Sequence, residues 1–207
     1  MMRSIVAQEH GNGCRGDDDV ANPAESIGNL TEDEIAENCR KDNLAIVIDG
    51  NFSGGGVGIG CGDGELWKEN KEKLPKQIEL HLTDISEGML RDARREIGVR
   101  DKRFYFQTAD ACKIPYEDDM FDVVTANHVL FYCEDIGRAC SEIRRVLKPG
   151  GTFVCGAYGS SHMKEVSQLV QKFDEHIILS AEHLYERFGK ENGYEILEPF
   201  FDKIEWR

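Results

Sequence analysis

The chain lacks several features that would indicate particular classes of protein. Its seven cysteines include no CxxC pair and are odd in number, which favours reduced thiols over disulfides or a zinc site. No apolar run approaches the roughly 20 residues that a membrane span needs, and residues 1–10 lack the apolar run of a signal peptide. We therefore expect a cytoplasmic protein that has no membrane partner and no metal site.

Basic residues are also scarce. The 207 residues include 25 Lys and Arg against 39 Asp and Glu, for a formal net charge of −14. This balance argues against nucleic acid as the main partner, because no basic face would offset the repulsion from phosphate. The hydrophobic content of 40% and charged content of 31% are typical of a globular protein, and the length suits one α/β domain.

The first part of the chain shows little periodicity. Residues 1–29 are rich in Gly, Asn and Asp, and few apolar residues recur at regular spacing. This composition predicts a mobile acidic and Gly-rich arm. We expect one folded domain over residues 30–207.

Further along, short apolar runs alternate with stretches that have helical spacing. Ser86, for example, is placed to cap a helix whose apolar face includes Leu90, Ala93 and Ile97. Alternation of this kind predicts an α/β fold with a doubly wound, mainly parallel sheet. The predicted strands in this part of the chain are 78–83, 104–107, 121–126, 152–157 and 200–206.

A glycine-spaced turn, Gly60-Cys61-Gly62-Asp63-Gly64, is the most informative stretch. Glycine lets the backbone take positive φ and approach a ligand closely, and a following helix would direct its free N–H groups at that ligand. Asp84 stands at the end of the next predicted strand. A glycine turn followed by a strand-terminal acid is how an open α/β sheet binds a nucleoside, with the acid on the ribose hydroxyls.

From about Gly58 onward, the chain resembles class I S-adenosylmethionine-dependent methyltransferases of the type 11 group, which have a Rossmann-like fold. The resemblance depends on the order and spacing of several motifs, each of which is weak alone. They are Gly60–Gly64, Leu82–Ser86 with Met89 and Leu90, Thr108–Ala111, Phe121–Leu130 and Arg144–Gly151.

The resemblance implies S-adenosylmethionine as the cofactor and a small molecule as the methyl acceptor. It places Asp84 on the ribose, Asp110 near the adenine, and His128 at the sulfonium end as the candidate catalytic residue. The implied cofactor-binding residues are Gly60, Cys61, Gly62, Asp84, Ile85, Asp110, Ala111 and Asn127. His128 is equally well explained as a packed histidine at the end of a strand.

One departure from the family lies just before the glycine turn. The family usually places an acid two residues ahead of the first glycine, where this chain has Gly58. Residues 54–59 are also a poor strand, because glycine weakens strands. We therefore expect Leu44–Asp49 to be the central strand, with Gly50–Ile59 inserted after it; the alternative is that residues 55–60 form an altered central strand.

Two further departures lie at the ends of the chain. The family adds an antiparallel strand after the one that resembles Phe200–Trp206, but this sequence stops at Arg207. The N-terminal region also lacks the aromatic-rich helix that commonly covers the substrate in the family. We therefore expect a sheet that is incomplete at both ends.

Two other functions remain open at this point. A non-catalytic relative that keeps the fold as a binding or regulatory protein would explain Gly58 and the altered ends. A nicotinamide-dependent oxidoreductase shares the glycine turn and the ribose acid, but the third glycine of GxGxxG would fall at Glu65. The close helix packing that this motif needs is then absent, so this function is the more distant alternative.

Overall fold

The computed structural model describes residues 3–8, 54–162, 164–174, 176 and 181–206. Most of the predicted N-terminal arm lies outside these residues. The helix predicted after Thr31 and the strand predicted at Leu44–Asp49 lie outside them as well. The fold below is that of the described residues.

A seven-stranded sheet forms the centre of the fold, with the order β4-β3-β2-β5-β6-β1-β7. The strands β2 to β6 run parallel to one another, whereas β1 is antiparallel to both β6 and β7. The predicted mainly parallel sheet is therefore confirmed. The strands are β1 (Arg3–Gln8), β2 (Gly55–Ile59), β3 (Glu79–Asp84), β4 (Phe104–Thr108), β5 (Phe121–Asn127), β6 (Leu147–Ala157) and β7 (Lys203–Trp206).

The helices connect these strands and cover the sheet. Local signals in the sequence set their ends: Ser86 Oγ accepts a hydrogen bond from Met89 N (3.3 Å), and Asp135 Oδ1 accepts one from Arg138 N (2.8 Å). The described helices are α1 (Glu65–Asn70), α2 (Glu87–Ile97), α3 (Ile136–Val146), α4 (Lys164–Gln171), α5 (Ala181–Arg187) and α6 (Gly193–Leu197), with a 3₁₀ turn at Leu130–Tyr132.

The central strand is β2, which pairs with β3 on one side and with β5 on the other. The expectation that Leu44–Asp49 is the central strand, with Gly50–Ile59 inserted, is therefore wrong. Neighbouring side chains fill the room that the glycines leave: a Cβ added at Gly56 would lie 2.9 Å from Val123 and 3.0 Å from Leu80. Ladders on both sides and this packing offset the poor strand propensity of glycine.

The first described residues form a strand inside the sheet. Residues 3–8 pair with β6 on one side and with β7 on the other, and the side chains of Ile5 and Ala7 are fully buried. For these residues the prediction of a mobile arm is wrong, because long-range pairing orders a segment too short to show a period. β1 also supplies an antiparallel strand next to β7, so the sheet does not lack one at this edge.

The burial of Ile5 leads to a test by substitution. We expect Ile5→Ala to lower the free energy of unfolding by about 2–4 kcal/mol, because it leaves a cavity in the core. Urea denaturation would measure the change, with Val99→Ala as a control at a side chain that is 80% exposed. A loss for Ile5→Ala within about 0.5 kcal/mol, as at surface positions, would contradict the placement of β1.

Candidate cofactor and active site

A large cavity lies at the carboxyl ends of the central strands. It has a volume of about 660 Å³. The chain runs from β2 outward to β3 and β4, then returns to β5 on the other side, so the strand order reverses beside β2. Ligands of open α/β sheets bind at such a reversal. The lining residues are Ile59, Gly60, Asp84, Ile85, Ala109, Asp110, Ala111, Cys112, His128, Val129, Tyr132, Cys133, Glu134 and Asp135.

A smaller cavity of about 180 Å³ adjoins the first and shares Ile59, Gly60 and His128 with it. Cys61, Gly62 and Asn127 also line this smaller cavity. Every site residue predicted from the sequence therefore lines one cavity or both. Their roles toward a ligand stay predictions.

The glycine turn connects β2 to α1. Gly60 and Gly62 have φ of 63° and 58°, in the left-handed region that favours glycine. A Cβ at Gly60 would lie 2.3 Å from Val129, whereas a Cβ at Gly62 would meet no atom within 4 Å. Gly60 is therefore required for packing, and Gly62 leaves open space that a ligand can enter.

Asp84 connects the turn to the end of β3. Its Oδ2 accepts a hydrogen bond from Gly62 N (2.9 Å), and its Oδ1 accepts one from Ser86 N (2.8 Å). A carboxylate has about four lone-pair sites, so each oxygen can still accept another hydrogen bond. Asp84 also lines the larger cavity. The carboxylate therefore keeps acceptor capacity at the wall of the cavity, as the predicted ribose contact requires.

Asp110 and Ala111 lie in the loop after β4. Asp110 Oδ1 accepts a hydrogen bond from Cys112 N (2.8 Å), which fixes the turn of the backbone. Asp84 O accepts a hydrogen bond from Ala109 N (3.1 Å), so this loop is joined to the end of β3. A backbone hydrogen bond thus joins Asp84, which is predicted to bind the ribose, to the loop that is predicted to meet the adenine.

Arg145 of α3 holds the other end of this loop. Its guanidinium donates to the carbonyl oxygens of Ile114 (2.9 Å) and Tyr116 (2.7 Å), and it pairs with Glu142 (2.8 Å) and Asp118 (2.8 Å). Glu142 Oε2 also accepts a hydrogen bond from Ile114 N (2.9 Å). The hydrogen bond from Arg145 lowers the pKa of Glu142 below its usual value. An ion pair between the buried Glu142 and the partly exposed Arg145 therefore anchors residues 114–118 to α3.

This network predicts a specific dependence of stability on pH. The folded state lowers the pKa of Glu142, so its contribution is complete above the unfolded pKa near 4.5 and is lost as pH falls through the folded value. We expect Arg145→Met to cost about 3–5 kcal/mol at pH 7, because it leaves the carboxylate of Glu142 without its partner. Urea denaturation at pH 7 and below pH 4 would measure this cost.

The control is Arg95→Met, which removes a cation from an exposed ion pair on α2. That change should cost less than about 1 kcal/mol at either pH. The cost of Arg145→Met should shrink at the lower pH, where Glu142 begins to protonate. An equal cost at both pH values would contradict the role of the Arg145–Glu142 pair.

His128 follows β5 and takes the left-handed backbone conformation, with φ of 59°. Its N donates to Gly156 O (3.2 Å), and its ring stacks on Tyr158 at a centroid distance of 4.7 Å. The ring also lines both cavities. The two interpretations of His128 are thus compatible, because one face of the ring is packed while the residue remains at the ligand site.

Several lining residues were not predicted from the sequence, above all Tyr132 and Glu134. They follow His128 in the segment between β5 and α3. Position alone could have indicated them, since segments after the carboxyl ends of parallel strands surround the ligand in this class of sheet. Their residue types carry no motif, so the glycine and aspartate patterns did not reveal them.

The indole of Trp67 fills the space beside Gly58, the position where the family usually has an acid. A Cβ at Gly58 would lie 3.1 Å from Trp67 Cζ2 and 3.1 Å from Leu82 Cδ2, so the space for a side chain is already filled. Trp67 is only 2% exposed, and Thr83 Oγ1 donates to Gly58 O (3.2 Å). A side chain at Gly58 would therefore crowd Trp67 and Leu82, and an acid there would lie against an indole.

This packing can be tested with a double-mutant cycle. We expect Gly58→Ala to cost about 1–3 kcal/mol of unfolding free energy, because the new methyl group overpacks the core. In a Trp67→Leu background the same change should cost less, since the indole no longer occupies that space. Urea denaturation of the four proteins would give the coupling. Costs that add within about 0.5 kcal/mol would show that Trp67 is not the obstacle.

Five cysteines in the described ranges are free thiols: Cys61, Cys112, Cys133, Cys140 and Cys155. Burial raises the pKa of Cys61 to about 12, with Asp84 adding to the effect. Its thiol is therefore protonated at neutral pH and is a poor nucleophile. Within the same ranges no group of three metal-ligating side chains occurs, and no helix has the length and hydrophobicity to cross a bilayer.

The fold is a Rossmann-like domain with a cavity at the carboxyl ends of its central strands, and comparison with known proteins shows what it resembles. Residues 57–155 match the family of the methyltransferase domain. The solved structure of phosphoethanolamine N-methyltransferase 2 from Haemonchus contortus, in complex with S-adenosyl-L-methionine, is similar with a TM-score of 0.56 at 24% identity. It covers 77% of this chain and 36% of that chain. Residues 57–155 therefore resemble the methyltransferase domain, as the motifs in this stretch indicated.

Curated relatives show the same relationship at the level of sequence. Demethylmenaquinone methyltransferase from Symbiobacterium thermophilum is 35% identical over 47% of this chain and 39% of its own length. Malonyl-[acyl-carrier protein] O-methyltransferase from Pseudescherichia vulneris is 27% identical over 68% of this chain and 55% of its own length. The chain thus spans about half the length of the curated relatives it matches.

The fold is not restricted to proteins named as methyltransferases. The solved structure of the [4+2]-cyclase SpnF is similar with a TM-score of 0.52 at 28% identity, over 61% of this chain and 46% of that chain. A SAM-dependent methyltransferase from Thermotoga maritima has a TM-score of 0.54 at 20% identity, over 80% of this chain and 72% of that chain. The second likeness concerns the fold alone.

Proposed function

We propose that the protein is an S-adenosylmethionine-dependent methyltransferase that acts on a small-molecule acceptor. The observation that carries this proposal is the position of the Asp84 carboxylate. It holds the glycine turn through Gly62 N (2.9 Å), lines the larger cavity and keeps lone pairs for two ribose hydroxyls. The match to the methyltransferase domain over residues 57–155 supports the same activity.

The cavity fits a nucleoside with a polar tail. Asp84 would hold the ribose, Ile85 and Ala111 would contact the adenine, and Asp110 would accept from its amino group. Gly60 and Gly62 would pass the tail, because no atom lies within 4 Å of a Cβ added at Gly62. Cys61 and Asn127 line the smaller cavity, where this tail would lie.

S-adenosylmethionine, when bound, supplies an activated methyl group on a good leaving group. The task of the protein is then to align the acceptor with that methyl group and to exclude water. His128 lines both cavities at their junction, so the acceptor would meet it there. If the acceptor must lose a proton, the His128 imidazole would take it as the general base.

The size of the site supports a small acceptor. The larger cavity of about 660 Å³ lies within the range of roughly 300–1,000 Å³ that is usual for small-molecule pockets. The relative from Symbiobacterium thermophilum is named for methylation of a demethylmenaquinone, which is also a small molecule. We propose an acceptor of this size class.

The central test is the affinity for S-adenosylhomocysteine, the product form of the cofactor. We expect calorimetry to show binding, and Asp84→Asn to weaken it by about 10- to 100-fold, because hydrogen bonds to a charged group contribute about 1.5–3 kcal/mol. Asp92→Asn is the matched control, since it changes the same residue type at an exposed ion pair on α2. Absence of binding by the wild-type protein, or equal affinity of the two variants, would contradict the proposal.

A second candidate is a protein that binds the cofactor without transferring its methyl group. The similarity to the [4+2]-cyclase SpnF favours keeping this candidate, because a protein with this fold carries a differently named activity. Incubation with S-adenosylmethionine labelled on the methyl group, together with a panel of small acceptors, separates the two. Label transferred to any acceptor excludes the second candidate.

A further inference from the structure

We propose that the acceptor is an aromatic small molecule without negative charge, which lies against Tyr132 and is selected by the carboxylate of Glu134. This inference rests on the proposed function, because it names the class of molecule that the methyltransferase site accepts. Carboxylate- and phosphate-bearing acceptors are excluded. Neutral rings and rings that carry an ammonium group are admitted.

The charge of the lining is the first observation. The larger cavity is lined by Asp84, Asp110, Glu134 and Asp135, and its described lining includes no Lys or Arg. S-adenosylmethionine brings one net positive charge, so these carboxylates leave the loaded cavity negative. At physiological salt the screening length is about 8 Å, which exceeds contact distances within a site. An anionic acceptor would therefore be repelled at close range.

The hydrogen bonds of these acids single out Glu134. Asp84, Asp110 and Asp135 each accept a hydrogen bond from a backbone N–H, and so each has a structural partner. For the exposed side chain of Glu134, the described ranges show no hydrogen bond or ion pair. Among the four lining acids, Glu134 is thus the one whose carboxylate no contact with a described residue holds in place.

Tyr132 supplies the apolar surface. Its side chain is 67% exposed, yet its ring packs edge-on against the buried Phe131 at a centroid distance of 4.7 Å and an angle of 66°. This contact orients the ring, and most of the side chain stays accessible to a ligand. Aromatic faces hold other aromatic rings, and together with a carboxylate they hold ammonium groups.

The acceptors named for two of the relatives differ in charge. A demethylmenaquinone carries an uncharged ring, which would fit this lining. A malonyl group carries a free carboxylate and would be repelled by Glu134. The protein thus differs in acceptor class from the malonyl-[acyl-carrier protein] O-methyltransferase that it resembles.

The experiment uses the full chain loaded with S-adenosylhomocysteine and three probes of one shape and different charge. The probes are 2-naphthol, 2-naphthoate and 2-naphthylmethylammonium, titrated by calorimetry at pH 7. We expect the neutral and cationic probes to bind at least about tenfold more tightly than the anion. Equal or tighter binding of 2-naphthoate would overturn the inference, and so would failure of all three probes to bind.

The variant Glu134→Gln identifies the residue responsible. We expect it to bind 2-naphthoate about three- to tenfold more tightly and the ammonium probe correspondingly more weakly, with 2-naphthol unchanged. Glu117→Gln is the matched control, because it makes the same change of net charge just before β5, at the opposite edge of the sheet. The same response in both variants would overturn the role of Glu134.

The failure of this inference is distinguishable from the failure of the proposed function. S-adenosylhomocysteine is titrated first, in the absence of probes. If it does not bind, the methyltransferase proposal fails. If it binds and the probes show no preference by charge, only the acceptor class is wrong.

Discussion

The hydrogen bond from Gly62 N to Asp84 Oδ2 is the interaction on which the site depends. It joins the turn after β2 to the end of β3, and the same carboxylate also holds Ser86 N at the start of the segment that leads into α2. Because one acid orders the glycine turn and faces the cavity, the geometry of the turn is coupled to the ribose recognition that we propose. Loss of Asp84 would disturb both.

Tight packing around the glycines of β2, the strand that leads into this turn, is a second constraint. Gly56 and Gly58 carry no side chain, and Val123, Leu82 and Trp67 occupy the room that side chains there would need. Side chains from neighbouring elements therefore complete the hydrophobic core at the central strand. The family acid is absent at Gly58, where a side chain would crowd Trp67 and Leu82, so cofactor recognition in our proposal depends on Asp84 and Asp110.

The part of the fold after the glycine turn was predictable because its signals are local. Ser86 caps α2 as its position before an apolar helical face suggested, and β3 and β5 end in polar residues at the carboxyl edge of the sheet. Those ends place Asp84, Asn127 and His128 at the cavities. The roles of these residues toward a ligand still have to be measured.

The errors concern segments that are ordered by distant partners. Residues 3–8 form a buried strand because β6 and β7 lie on either side of it. The six residues themselves contain no sequence pattern that predicts this pairing. Residues 55–59 form the central strand because β3 and β5 flank them, although glycine disfavours strands locally.

A crystal structure with S-adenosylhomocysteine tests the central claim most directly. Our account predicts both ribose hydroxyls within hydrogen-bond distance of Asp84 and the adenine beside Asp110, whereas a ligand bound elsewhere, or no binding at millimolar concentration, would contradict it.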